Sequence, residues 1–482
     1  MESITRSNHQ NDKSAITYKD MFLGSVGVVY FRKIKITEKA GEHASLYVEA
    51  VLDSDTNEND FHEIKDTVSL MYRKKGKEHV LFYGVVDKVF MNKDGGEWLI
   101  RLEARDGTCQ MDVERRKRIF QNPQMSVRQL ISKVMDSYSG SDHMVHLPDE
   151  PVGQLLVQYE ETDWEFLRRF LSKYKENLYP DPAFPDIRFE AGLSPKPENQ
   201  NWDKLPYKLS QDFIRLESMK ENGIHELTRS QNTVYQIESY DIVSIGSQIT
   251  YKGTPWYIES AERRLRDGLL KNRYCLRQKE SLKVLPYYNG NITGISIEGN
   301  IASVKRSQVQ VNMEIEAGDG EKYWFPFSTV AASSDGSGWY CMPENGESVR
   351  VYFPIDDEKE AYVVTNVKGH KPQAGNSSDS MGNPNHRNIQ TAQGNQVQMT
   401  GEGVLIKAGN GQGSIFLKKS GEVVLDAQKD ITISAAENLH ITAKKDLTVK
   451  SQTSIQVSCG SGADIEVKKG TVGLHGSEIH EN

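Results

Sequence analysis

At 482 residues the chain has room for roughly three or four domains and a sizeable core, and its net charge of −8 gives no support for nucleic-acid binding. Mean hydropathy is −0.60, and no apolar run approaches the roughly 20 residues a membrane-spanning helix requires. Cys109, Cys275, Cys341 and Cys459 are widely separated and form no CxxC pair, which indicates neither a disulfide framework nor a zinc knuckle.

Residues 1–20 are polar, lack the apolar stretch of a secretory signal, and read as a flexible N-terminal segment. The protein is therefore expected to be made and kept in the cytoplasm unless something else exports it. Residues 21–285 read as a base region with two β-barrel subdomains and a few helices. The first barrel, within 25–106, carries alternating runs such as Leu46-Tyr47-Val48-Glu49-Ala50-Val51 and polar turns such as Asn92-Lys93-Asp94-Gly95-Gly96. A helix is expected over 126–138, where Val127, Leu130, Ile131 and Val134 fall at helical spacing. A second follows Thr162, whose spacing to Glu165 has capping-box form, with Trp164, Leu167, Phe170, Leu171 and Tyr174 on one face. Residues 182–206 are rich in proline and polar residues and read as a long surface loop. Strands within 233–277 suggest the second barrel.

Residues 286–367 form a run of short strands with polar turns, consistent with an OB-fold. Tyr323, Trp324, Phe325 and Phe327 provide aromatics, but Asp335, Glu344, Glu347, Asp356, Asp357, Glu358 and Glu360 surround them with acid. A packing role is favoured over ligand binding. Residues 368–388, rich in glycine, serine and asparagine, read as a linker. Gly409-Asn410-Gly411-Gln412-Gly413 has the glycines of a phosphate-binding loop without its strand and helix, and reads as a turn.

From 415 to 470 the chain repeats every eight residues. Each of six octads opens on an apolar residue, a second residue and another apolar one: Ile415 and Leu417, Val423 and Leu425, Ile431 and Ile433, Leu439 and Ile441, Leu447 and Val449, Ile455 and Val457. The seventh octad moves its pair two places on, to Ile465 and Val467. Alternate residues of a strand share a face, so each octad offers an inward stripe two residues wide followed by a small polar turn. Two inward residues per strand cannot close a core within one chain, because a single-chain β-helix needs a coil of roughly 20 residues or more. An octad more plausibly forms one side of a prism shared by three chains. Residues 389–482 are thus expected to be a C-terminal intertwined triple-stranded β-helix and tip, and the fold as a whole mainly β.

Leu156-Val157-Gln158-Tyr159-Glu160-Glu161-Thr162-Asp163-Trp164-Glu165-Phe166-Leu167 resembles a signature in the base domain of valine-glycine repeat protein G (VgrG) and phage late-control D proteins, carried here by Gln158, Tyr159, Glu161, Asp163, Phe166 and Leu167. Trp324 and Pro326, then Gly338-Trp339, Pro343 and Gly346, are similar to the same family's OB-fold pattern, with Phe327 where the family usually has tryptophan. The octads complete the family's order. This resemblance implies a homotrimeric spike of a contractile injection system, of type VI secretion, an extracellular injection particle, a bacteriocin or a phage tail. It implies inner-tube and baseplate proteins as partners at the base, a conical PAAR-like cap or an effector at the tip, transient contact with the target envelope, and delivery outward on contraction.

No HExxH, G-x-S-x-G or Walker motif is present, so no catalytic residue and no cofactor is assigned. Three symmetry-related copies of His475 or His480 on a trimer axis are candidates for a tip metal ion, but their spacing of five puts them on opposite faces of a straight strand. A β-helical glycan-degrading tailspike would need a groove with paired carboxylates, and a receptor-binding fibre would need a domain beyond the octads.

Overall fold

A computed structural model describes residues 15–366 and 383–478, apart from positions 25, 54, 196, 199, 330, 333–337, 340, 384, 392 and 461. The chain divides into two units, Met1–Lys368 and Gly369–Asn482.

In the first unit one twelve-stranded sheet spans both regions expected as barrels. Its pairing order runs Met21–Leu23, Thr67–Lys74, Lys77–Asp94, Glu97–Asp106, Glu42–Leu52, Val28–Lys39, Thr254–Arg266, Leu269–Arg277, Thr233–Ser239, Tyr207–Gln211, with Gln248–Tyr251 and Pro197–Glu198 branching off. The hairpins at Lys75-Gly76, Lys252-Gly253 and Asp267-Gly268 hold both turn residues at positive φ, the type I′ geometry that matches strand twist. Strand alternation then buries Val68, Leu70 and Tyr72 from one strand and Leu46, Val48 and Ala50 from another in a first core. Trp202, Tyr251, Ile258 and Tyr274 centre a second. The two parts of the sheet are joined where Ala261 pairs with Glu38 and Arg263 with Ile36.

Two expectations are corrected here. Residues 15–20 are not a loose segment: Ile16 lies in the first core, Thr17 bridges Leu269, and the Tyr18 amide donates to the Gly268 carbonyl. Residues 1–14 lie outside the described residues. Nor is 182–206 simply a surface loop. Arg188–Ala191 pairs with Leu178–Pro180 and with Asp142–Val145, and Phe189, Ala191 and Trp202 are buried. Large apolar side chains spaced among prolines fill the space between the helices and the second barrel, a pattern that composition conceals.

The helices Val127–Met135 and Asp163–Ser172 both start on capping boxes, Ser126 with Gln129 and Thr162 with Glu165. Their apolar faces meet in a third core with Phe120, Leu178 and Phe189. The OB region forms a five-stranded sheet ordered Phe325–Pro326, Gln308–Met313, Ser296–Lys305, Ser348–Tyr352, Tyr362–Thr365. A parallel bridge between Phe327 and Val363 joins its two ends and closes the barrel. Its core takes in Ile119, Leu155 and Val157 from the base region, so barrel and base are packed as one body.

The second unit contains two antiparallel meanders. One runs through Arg387–Gln390, Gln396–Thr400, Gly403–Ala408, Gly413–Lys418 and Val423–Ala427, and the other through Ser454–Cys459, Ala463–Lys468 and Thr471–His475. Between them, the octads expected as strands at 431–449 carry no strand in the single chain, and every residue from 428 to 454 is exposed. A strand exists by virtue of a hydrogen-bonded neighbour, and this segment has none among the described residues of its own chain. Its backbone nonetheless bends at 428–429, 436–437, 444–445 and 452–453, once per octad and each time at the polar turn. The expected linker at 368–388 lies outside the described residues as far as 382.

Candidate assembly surface

The base-domain motif folds inward. Gln158 and Asp163 are fully buried, as are Phe166 and Leu167 in the helical core, while Tyr159 is half-buried under the Lys117 ammonium. Arg118 Nε donates to Gln158 Oε1 at 2.8 Å, and the Gln158 amide donates to Asp163 Oδ1 at 2.9 Å. Asp163 also accepts from Arg118 and, at 2.7 Å, from the Tyr138 hydroxyl. Burial, together with the Asp163 carboxylate, pushes the Tyr138 phenol well above its ordinary range. Glu161 takes both arms of the Arg169 fork, at 2.7 and 2.8 Å. The other Arg169 nitrogen reaches Glu358 of the OB region at 2.5 Å, and Lys173 meets the same carboxylate at 3.0 Å. Every polar atom named here is spent on a neighbour. The motif is a clamp between helix, strand and the OB region.

Arg118, Tyr138 and Arg169 were not singled out by sequence, and Glu358, read there as one of the acids around the OB aromatics, is instead buried against Arg169 and Lys173. The one available signal was Arg169, a charge flanked by Leu167, Phe170 and Leu171 in a helix whose other charges are Asp163, Glu165 and Arg168. A second buried ion pair holds the barrel seam: Arg263 donates to Glu38 at 2.7 Å, to the Tyr274 hydroxyl at 2.8 Å and to the Val243 carbonyl at 2.9 Å.

In the OB region Phe325 is fully buried and Pro326 exposed, with Lys305 over the Trp324 ring at 5.8 Å. Gly338 and Trp339 form a short strand against Ala331–Ala332. Gly346 has φ +88° in the turn beyond Pro343, a conformation that disfavours any residue with a Cβ. An open groove of about 500 Å³ lies on the first barrel beside Lys33, Lys35, Tyr47, Asp87, Glu103 and Arg105. Arg105 is paired with Asp87, Lys35 with Glu262 and Glu103 with Lys88, and Lys33 lies over the Tyr47 ring.

A periodic run of exposed apolar residues lies in the second unit. Of the fourteen apolar octad residues, all but half-buried Ile455 are exposed, Ile441 at 64% and Val449 at 65%. Within the meanders the octad pairs face each other across strands, Ile415 to Leu425 and Leu417 to Val423, then Ile455 to Val467 and Val457 to Ile465. The same face extends beyond the predicted set. Val397, Met399, Val404 and Ile406 continue it upstream, and Val472 and Leu474 downstream. These are also apolar pairs at i, i+2 spacing, but their steps are not eight residues, so a search for the repeat passes over them. An apolar face this long exceeds what a soluble monomer leaves in water.

On the paired strands Ala463–Lys468 and Thr471–His475, His475 Nδ1 lies 3.3 Å from Asp464 Oδ2 on the surface. His480 lies outside the described residues. Among the described residues of one chain, no three His, Cys, Asp or Glu side chains converge to hold a metal ion. No helix among them is long and apolar enough to cross a membrane, which says nothing of strands.

Residues 39–174 match the family model described as phage tail baseplate hub (GPD), and residues 296–367 match that described as type VI secretion system/phage-baseplate injector OB domain. Neither range reaches the octads. Comparison with curated proteins finds no match. Among solved structures, the Escherichia coli c3393 protein, described as a component of the type VI secretion system, is 12% identical, with 71% of this chain and 98% of that one covered and a TM-score of 0.48. A Francisella PdpA-VgrG complex is 9% identical over 82% and 83% of the two chains, TM-score 0.49. A 43 kDa tail protein of prophage MuSo2 from Shewanella oneidensis is 14% identical over 57% and 99%, TM-score 0.42.

Proposed function

We propose that this chain, a member of the baseplate hub and spike family of phage tails and type VI secretion systems, works as a homotrimer whose C-terminal octads form a stiff, envelope-puncturing shaft. The observation that carries the reading is the run from 429 to 453. It repeats an apolar pair every eight residues, bends at its polar turns, and has no ladder partner among the described residues of its own chain. A partner able to cover such a face must present the same period, and two further copies of this chain do so. Each octad then supplies one side of a triangular prism, and its backbone groups pair with the octads above and below.

The mechanism is mechanical. Force on the base passes through the buried Arg169–Glu358 and Arg263–Glu38 joints into a shaft whose rupture requires many backbone hydrogen bonds to break together. The family is one of structural hub and spike proteins, and the trimer is proposed to be non-enzymatic. The hub region, 39–174, is the part that docks the baseplate and inner tube. The blunt end beyond 470 is the place for a cap or carried effector. Assembly in the bacterial cytoplasm, before delivery on contraction, belongs to the same proposal. Sedimentation of the full chain decides the central point: a threefold mass is expected, and a stable monomer removes the shaft and with it the puncturing role.

A further inference from the structure

Apolar pairs at i, i+2 spacing begin at residues 397, 404, 415, 423, 431, 439, 447, 455, 465 and 472, so the steps are 7 and 11, then five of 8, then 10 and 7. The regular run has a weakness. If one chain of the trimer slides by eight residues against its partners, five of its six pairs still meet an apolar pair, because each octad replaces the next. Strand register is weakly specified wherever a shifted alignment buries nearly the same set.

The flanks do not share this degeneracy. The same slide brings Gln412 and Ser414 to the level of Val404 and Ile406, and Gly473 and His475 to the level of Ile465 and Val467. Polar groups would then stand where the face demands apolar ones. The flanks are also the parts of this unit that pair their backbone within one chain. Residues 387–427 and 454–475 form ladders of their own, and 428–453 do not. They therefore exist as shaped surfaces before the octads find partners.

Resting on the trimeric reading above, we infer that the two interruptions of the period, at 404–415 and 455–465, are register locks that admit one alignment of three copies of this chain. The shaft supplies length and stiffness, and its two meanders supply alignment.

The test uses the full chain carrying Cys275→Ser and Cys341→Ser, which leaves exposed Cys459 for a spin label and buried Cys109 unlabelled. Pulsed electron resonance then reads Cys459–Cys459 distances between chains. The parent should give one narrow distribution. A variant with 431–438 duplicated keeps both locks and should also give one. A variant lacking 410–412 and 461–462 brings the steps of 11 and 10 to eight, and its distribution should split into several distances. A trimeric deletion variant with a single distance, or a duplication variant with several, overturns the locks alone. If the deletion variant does not assemble, the duplication variant decides. A parent that sediments as a monomer overturns the trimeric reading and the locks together.

Discussion

Arg169 and Glu358, 189 residues apart in the chain, form an ion pair at 2.5 Å with both side chains almost wholly buried. Arg169 stands on the capped helix and Glu358 in a short 3-10 turn of the OB region, so one contact locks two elements that sequence distance separates. Glu161 and Lys173 complete the cluster and leave each charge a counter-charge.

Removing one partner from this cluster should cost far more than the pair contributes in isolation. Glu358→Gln leaves Arg169 with one carboxylate and Lys173 with none, and a loss of about 3–5 kcal/mol is expected for breaking a buried pair. Thermal unfolding of the full chain, followed by near-UV dichroism, measures it. A change within experimental error would show that the OB region does not depend on this joint.

The same group sets a pH dependence. Burial pushes the Glu358 carboxyl up, but Arg169 and Lys173 outweigh it and hold it below the ordinary glutamate range. Its contribution to stability is therefore complete above that range and is lost as pH falls through the lowered value. The melting temperature of the parent should drop more steeply on acidification than that of Glu358→Gln. Parallel curves would contradict the sign.

At the barrel seam, Arg263→Leu would leave Glu38 buried without its counter-ion and free the Tyr274 hydroxyl and Val243 carbonyl of a donor. A loss of about 3–5 kcal/mol is again expected. Arg273→Leu, a neighbour whose ion pairs with Glu238 and Glu262 lie nearer solvent, should cost about 1 kcal/mol or less. Equal losses for the two would mean that burial at the seam does not govern the effect.

The octad register is tested by Ile441→Asp against Thr442→Asp. The first would place three carboxyl groups together inside an apolar prism, at about 2–7 kcal/mol for each poorly compensated buried polar group. The second faces solvent and should matter little. Resistance to protease, and to SDS without boiling, should fall for Ile441→Asp alone. Equal weakening by both substitutions would refute the proposed inward face.

A last expectation concerns activity. Pure protein should release no reducing sugar from peptidoglycan or other glycans, and release that is lost on mutating an acidic pair would establish an enzyme.

Periodic features were legible in the sequence because periodicity is a local property of backbone geometry. Val127, Leu130, Ile131 and Val134 announce a helix whatever they pack against, the Thr162–Glu165 box marks where the next one starts, and the octads carry a two-residue strand stripe and a turn. Bends at 436–437 and 444–445 fall where the polar turns were placed for the same reason. What the tertiary structure alone decided is which distant groups share a site. Nothing in the spacing of Gln158 and Asp163 points to Arg118 and Tyr138, and nothing near Glu358 points to Arg169. A buried charge must be matched, but the chain meets that demand wherever folding brings an opposite charge close. The same holds for Ile16, Phe189 and Trp202, which lie in segments of loop-like composition and are buried because the barrels and helices leave space that only they fill.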